Sequence, residues 1–136
     1  MIVVDANVLV SLALPSQLTP LAESLLVHHP VWFAPSLWRS EFRNVLARYL
    51  KKSVLTLSQA LAIQDMIEEI LAENTRDVAS TTVLTLAASS GCTAYDCEYV
   101  ALARHLKMPL VTMDAQVIKA FPDTAKPLTT LVSSYS

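Results

Sequence analysis

Apolar side chains recur along this chain with two periods. Residues 2–4 are a β-branched run that ends at Asp5, and residues 31–34 are a second short apolar run stopped by Pro35; both read as buried strands. Over residues 37–50, Trp38, Phe42, Val45, Leu46, Tyr49 and Leu50 return every three or four positions, which predicts a helix with Ser36 as its N-cap. Arg48, Lys51 and Lys52 at its end suit a helix C-terminus. Ser58 is read as the cap of another helix, striped with Leu61, Met66, Ile67, Ile70 and Leu71 and stopping near Asn74. Its acids Asp65, Glu68, Glu69 and Glu73 fit a solvated face. Residues 80–90 mix strand-favouring threonines with an alanine-rich end; helix is the reading taken, capped by Gly91. A clearer helix covers 95–107, followed by Pro109, a strand over 110–112, a short helix from Ala115 and an edge strand over 128–131. Helices between strands make the sheet parallel and the class α/β.

At 136 residues with 53% apolar composition, the chain fits one compact domain, 1–136, with a substantial core. No apolar run approaches the roughly 20 residues of a membrane span, and the N-terminus lacks the pattern of a secretory signal, so a cytoplasmic, non-membrane protein is expected. The single glycine, Gly91, excludes both GxGxxG and GxxxxGK[ST] phosphate loops, and no GxSxG elbow is present. Cys92 and Cys97 lack metal-ligand spacing and read as reduced structural thiols. The histidines His28, His29 and His105 lie late in helices, where the dipole favours them.

Four acids remain that are awkward to place. Asp5 and Asp114 each directly follow a buried strand, where ligands bind in open α/β sheets, although either could serve as a helix N-cap. Asp96 sits in the first turn of its helix, favoured by the dipole, yet it heads the stripe of Tyr99, Val100 and Ala103 that should face inward. Glu41 is three or four residues from Leu37, Trp38 and Val45, inside an apolar face, and Arg39 and Arg43 are two residues away and point elsewhere. A buried unpaired carboxylate costs several kcal/mol or gives up its charge. If the four face one pocket, a hard divalent cation, Mg²⁺ or Mn²⁺, would neutralise them. Glu98, two residues from Asp96, is expected to project away from them.

With those acids in place the chain resembles the PIN domain, and more narrowly the VapC-type toxin ribonucleases of toxin–antitoxin pairs. The resemblance spans nearly the whole length and rests on VVDANVLV, PSLWRSEFRNVLARYL, TAYDCEYVALARHL and PLVTMDAQVIKAFP. It implies a three-layer α/β/α sandwich around a central, mainly parallel sheet of four to five strands. The family's catalytic, metal-holding acids fall on Asp5, Glu41, Asp96 and Asp114, and its supporting polar residues on Asn7 and Thr112. It also implies a homodimer and a cognate antitoxin covering the groove. Lys107 and Met108 stand where the family usually has a glycine.

The expected activity is endonucleolytic hydrolysis of RNA, with one or two Mg²⁺ or Mn²⁺ ions activating water for in-line attack. The formal charge of −2 would become about +2 with two such ions bound. Arg39 and Arg43 are the candidate contacts to the RNA backbone, with Arg48, Lys51 and Lys52 on the same stretch. Two alternatives stand: a catalytically silent PIN-like module acting through a protein partner, and a phosphatase of the haloacid-dehalogenase type. The latter wants an acid two residues after the first Asp, where this chain has Asn7.

Overall fold

The computed structural model describes residues 1–133. In chain order its elements are β1 (Ile2–Val4), α1 (Ala6–Ala13), α2 (Thr19–His28), β2 (Trp32–Pro35), α3 (Leu37–Lys51), α4 (Leu57–Leu71), β3 (Thr75–Arg76), α5 (Ser80–Ala88), α6 (Ala94–Leu106), β4 (Leu110–Thr112), α7 (Ala115–Ala120), β5 (Ala125–Pro127) and α8 (Leu128–Ser133). The strands form one sheet in the order β3-β2-β1-β4-β5, and every pairing is parallel. Val3 pairs with Phe33 on one side and Leu110 on the other, so β1 is central, and its three residues are all buried. A strand covered on both faces needs such an uninterrupted apolar run.

Helix α6, with α5 against it, packs over β1, β2 and β4, while α1, α3, α4 and α8 form a second group that also reaches the sheet. The result is an α/β/α arrangement. Trp32, Trp38, Phe42, Tyr99, Leu9 and Leu102 are among the largest fully buried side chains. Among the described residues no helix is long and apolar enough to cross a membrane.

The chain first lays strands to one side of β1 (β2, β3) and then returns to add β4 and β5 on the other. The carboxyl ends of β1 and β4 therefore border the point where strand order reverses, which is where open α/β sheets bind ligands.

Several local expectations are corrected. The cap of α4 is Thr56, whose hydroxyl accepts from Gln59 N at 3.1 Å while the Gln59 side chain accepts from Thr56 N at 2.9 Å. Ser58 lies inside the first turn; T-x-x-Q is the reciprocal pattern that satisfies two orphan amides at once. Ser36 makes no cap bond, and its hydroxyl instead donates to Asp77 Oδ1, tying the start of α3 to the segment after β3. Helix α5 ends at Ala88 with Ser89 as its cap, and Gly91 has no positive φ, so it is not the left-handed terminator expected of it. That conformation falls on Lys107 after α6, at φ 57° and ψ 46°. The last strand is Ala125–Pro127, and residues 128–131 belong to α8. Pro127 is tolerated because β5 is an edge strand.

Candidate metal and nucleic-acid site

The site grows out of the ends of β1 and β4. Asp5 leaves β1 with its amide donating to Val111 O at 3.0 Å, so β4 fixes its backbone. It occupies the N-cap position of α1 in extended conformation but makes no side-chain cap bond. Its Oδ2 instead accepts from Thr112 Oγ1 at 2.7 Å. The buried Thr112 hydroxyl also accepts from Asn7 Nδ2 at 3.3 Å and from Asp114 N at 3.0 Å. A hydroxyl has one proton and two lone pairs. With both lone pairs filled by N–H groups, its proton is committed to Asp5. Asn7 closes the ring by accepting from Met113 N through Oδ1 at 3.2 Å. Asp114 caps α7 with Oδ1, which accepts from Gln116 N at 2.9 Å and Val117 N at 3.3 Å.

The other two acids come from helices. Asp96 completes a capping box at the start of α6: its Oδ2 accepts from Thr93 N at 3.3 Å and its own amide donates to Thr93 Oγ1 at 3.1 Å. Glu41, in the second turn of α3, accepts a 2.6 Å bond on Oε1 from Tyr99 OH. Tyr99 is 2% exposed and lies three residues after Asp96, so α6 supplies one acid and steadies another. The N-cap reading thus holds for Asp114 and fails for Asp5, and Asp96 lies in the first turn of α6 as expected. For Glu41, Asp96 and Asp114, the side-chain bonds among the described residues fall on a single oxygen, so the second is not engaged by them.

All four acids, with Asn7, line one cavity of about 700 Å³. Asp5 feels the charges of Glu41 and Asp96, and Glu41 feels that of Asp96. Burial first, then the Glu41 and Asp96 charges, hold Asp5 up at about 6 against the pull of the Thr112 hydroxyl. Burial also raises Glu41, opposed by the Tyr99 hydroxyl and reinforced by Asp96 and Glu98. Glu98 itself lines a different cavity, with Val78, Ser80 and Val83, so its side chain projects away from the four acids as expected. Tyr99 is driven far above the phenol range by burial and by the Glu41 carboxylate, so it stays a donor.

Four carboxylates and an amide are an all-oxygen donor set, the chemistry of Mg²⁺ and Mn²⁺ and not of zinc. Among the described residues, no three acid, His or Cys side chains stand close enough to grip an ion as placed. Uncompensated carboxylates repel, so donors that share a cavity while standing apart fit an ion bound with the help of water, as Mg²⁺ commonly is.

The arginines proposed for RNA lie elsewhere. Arg39 Nε is bonded to both oxygens of Glu68 at 2.7 and 3.1 Å and sits 5.2 Å from the Trp38 ring centroid. Arg43 lines an apolar groove between α3 and α4 with Leu46 and Leu61. Residues two apart on a helix are rotated by about 200°, whereas seven apart differ by only about 20°. Arg48, seven beyond Glu41, lines the acidic cavity, as do Asn44, Val45 and Tyr49.

The chain matches the PIN domain family over residues 2–125. It is 28% identical over 137 residues to Ribonuclease VapC3 of Pyrobaculum aerophilum, covering 93% of this chain and 98% of that protein. Among solved structures it resembles PAE2754 of the same organism, with TM-score 0.76, 20% identity and coverage of 97% and 86% of the two chains. A toxin–antitoxin complex from Klebsiella pneumoniae superposes with TM-score 0.71 at 15% identity, covering 94% of this chain and 98% of that one.

Proposed function

Since this chain belongs to the PIN domain family, we propose that it is a metal-dependent endoribonuclease whose Asp5, Glu41, Asp96 and Asp114 hold one or two Mg²⁺ or Mn²⁺ ions. The observation that carries the reading is convergence: four acids from β1, α3, α6 and the end of β4 line one cavity at the strand-order reversal. A relative named as a ribonuclease and a neighbour solved as a toxin–antitoxin complex support the further reading that it is the toxin of such a pair. The proposed partners are RNA, a cognate antitoxin and a second copy of the chain, in the cytoplasm.

A bound divalent ion would polarise the phosphodiester and lower the pKa of the attacking water. The chain's residues do the rest. Asp5, Asp96 and Asp114 are fixed by backbone or hydroxyl donors and line the cavity. Glu41, raised by burial and held by Tyr99, is suited either to join them or to take the proton of the water. Hydrolysis in line would leave a 5′-phosphate and a 3′-hydroxyl.

Incubating the purified chain with total RNA should give cleavage that excess chelator stops and added Mg²⁺ or Mn²⁺ restores. Cleavage that persists in chelator refutes the metal-dependent mechanism. An intact chain that binds no divalent ion by calorimetry and leaves RNA whole would be the silent binding module instead.

A further inference from the structure

The cavity that holds the four acids is also lined by Asn44, Arg48 and Tyr49 from α3 and by the apolar Val10, Leu14 and Leu18. Among the described residues lining it, Arg48 alone is basic. Arg48 is exposed, and the ion pair formed by the arginines of this helix is that of Arg39 with Glu68, so no carboxylate neutralises it among the described residues. Seven residues of helix place it about 10 Å from Glu41 along the axis. The groove thus combines four carboxylates with a guanidinium that has no ion-pair partner among the described residues, an aromatic ring, a carboxamide and apolar side chains.

Resting on the ribonuclease reading, we propose that the α3 side of this groove is a nucleotide subsite: Arg48 pairs with an RNA backbone phosphate flanking the scissile one, and Tyr49 stacks on the adjoining base. At the acids a metal ion would balance the phosphate charge, but a flanking phosphate lies out of its reach and needs a protein cation. Arginine suits that role, since its planar fork donates two hydrogen bonds to phosphate oxygens. A ring beside it accepts any base face, and the apolar side chains exclude water from the stack. Both features favour a single strand, whose bases are free to leave their partners. Asn44, midway on the same face, has donors and an acceptor for a sugar or base edge.

An arginine in the last turn of a helix also has a dipole to satisfy, but Lys51 shares that turn, and a dipole role would leave RNA affinity and its salt dependence unmoved. The test uses the full chain carrying Asp96→Asn to prevent cleavage, with Mg²⁺ present, and the fluorescence anisotropy of a labelled mixed-sequence single-stranded RNA of about a dozen nucleotides. Adding Arg48→Gln should weaken binding roughly tenfold at low salt and make the slope of log affinity against log salt shallower by about 0.7. Tyr49→Leu should weaken it about fivefold with the slope unchanged, because stacking releases no counterions. Lys107→Asn is the control: it removes the same charge at the opposite, amino-terminal end of the strands, in a left-handed position that Asn tolerates. In the active chain, Arg48→Gln should raise KM and leave kcat within about twofold.

Parental affinity and slope for Arg48→Gln, or an equal loss from Lys107→Asn, overturns the subsite. If the parent cleaves RNA and Arg48→Gln cleaves it with unchanged KM, only the subsite fails, and the α3 side is left to a peptide partner. If the chain neither cleaves nor binds RNA, the ribonuclease reading falls with it.

Discussion

The two halves of the candidate site are built on different principles. At the strand ends, Asp5, Asn7, Thr112 and Asp114 are knitted into one network in which the amides of Met113 and Asp114, just after β4, and of α7 take part and the buried Thr112 hydroxyl uses its full capacity. On the α3 side, Glu41 is steadied by one side-chain bond from Tyr99, and Arg48 by none among the described residues. The first half is part of the fold: its geometry cannot change without unpairing buried polar groups. The second is an adjustable rim on a helix whose packing stands without it. A site that must hold charge rigidly and also admit a long flexible substrate has use for both, and the contrast can be measured.

The largest effect is expected where ligand charge is removed, at Asp5 in the rigid half or at Asp96 on α6. Asp5→Asn and Asp96→Asn should both abolish RNA cleavage, losing well beyond the roughly 100-fold typical of residues that only support a metal ligand. Either variant turning over normally with metal would sink the ligand assignment.

The same Asp5→Asn change should stabilise the chain when no metal is present. Asp5 titrates at about 6 in the fold against 3.8 as a free side chain, so the folded state keeps a proton that the unfolded state has lost. Stability therefore falls as pH rises from about 4 to 6 and stays reduced above that, by up to about 3 kcal/mol. An amide carries no such penalty and still accepts from Thr112. In chelator at pH 7.5, Asp5→Asn should resist denaturant better than the parent by about 1 to 3 kcal/mol, with the difference vanishing near pH 4. Saturating Mg²⁺ should shrink the gap by stabilising only the parent. A variant weaker than the parent in chelator would show that Asp5 is not strained by its surroundings.

Thr112→Val tests the network at its hub. It strips Asp5 of its donor and leaves the Asn7 carboxamide and the Asp114 amide without an acceptor, so fold and chemistry should suffer together. Activity should fall about 10- to 100-fold, and unfolding should become easier by about 1 to 3 kcal/mol. Loss of activity with stability untouched would place Thr112 outside the framework.

Much of this division was legible in the residues, and the illegible part has physical causes. The acids stood out because each sat where periodicity wanted an apolar side chain or a strand end, and α3, α4 and α6 were readable from spacing alone. The strand β3 was not, since Thr75 and Arg76 are defined by pairing with β2 and carry no local pattern. The edge strand expected over 128–131 is helix, since Leu128 and Leu131, three apart, belong to one helix face, and the strand that pairs with β4 is Ala125–Pro127. Tyr99 passed as one more member of an apolar stripe, because a sequence does not say whether a buried phenol points its hydroxyl at a carboxylate. Arg39 and Arg43 share the Glu41 helix, but an offset of two residues turns each away from Glu41, whereas Arg48, seven on, lines the same cavity.

Tyr99→Phe offers the smallest and most discriminating change. It removes one hydroxyl and keeps the ring in the core, so the fold should lose little, and the fully networked strand-end acids should keep their positions. Glu41 loses its only hydrogen bond among the described residues. The Tyr99 hydroxyl opposes the upward shift that burial imposes on Glu41, so without it the carboxyl holds its proton to still higher pH. Glu41 serves the proposed chemistry as a carboxylate, whether it binds metal or accepts a proton, and protonation silences it. The acidic limb of the pH–rate profile should therefore move to higher pH in Tyr99→Phe, with activity at the alkaline plateau reduced only about fivefold. A uniform loss at all pH values, with no displacement of the limb, would mean that Tyr99 supports packing and not the charge state of Glu41. An unchanged profile would mean that the α3 rim has no part in the chemistry, leaving the catalytic work to the strand-end acids and Asp96.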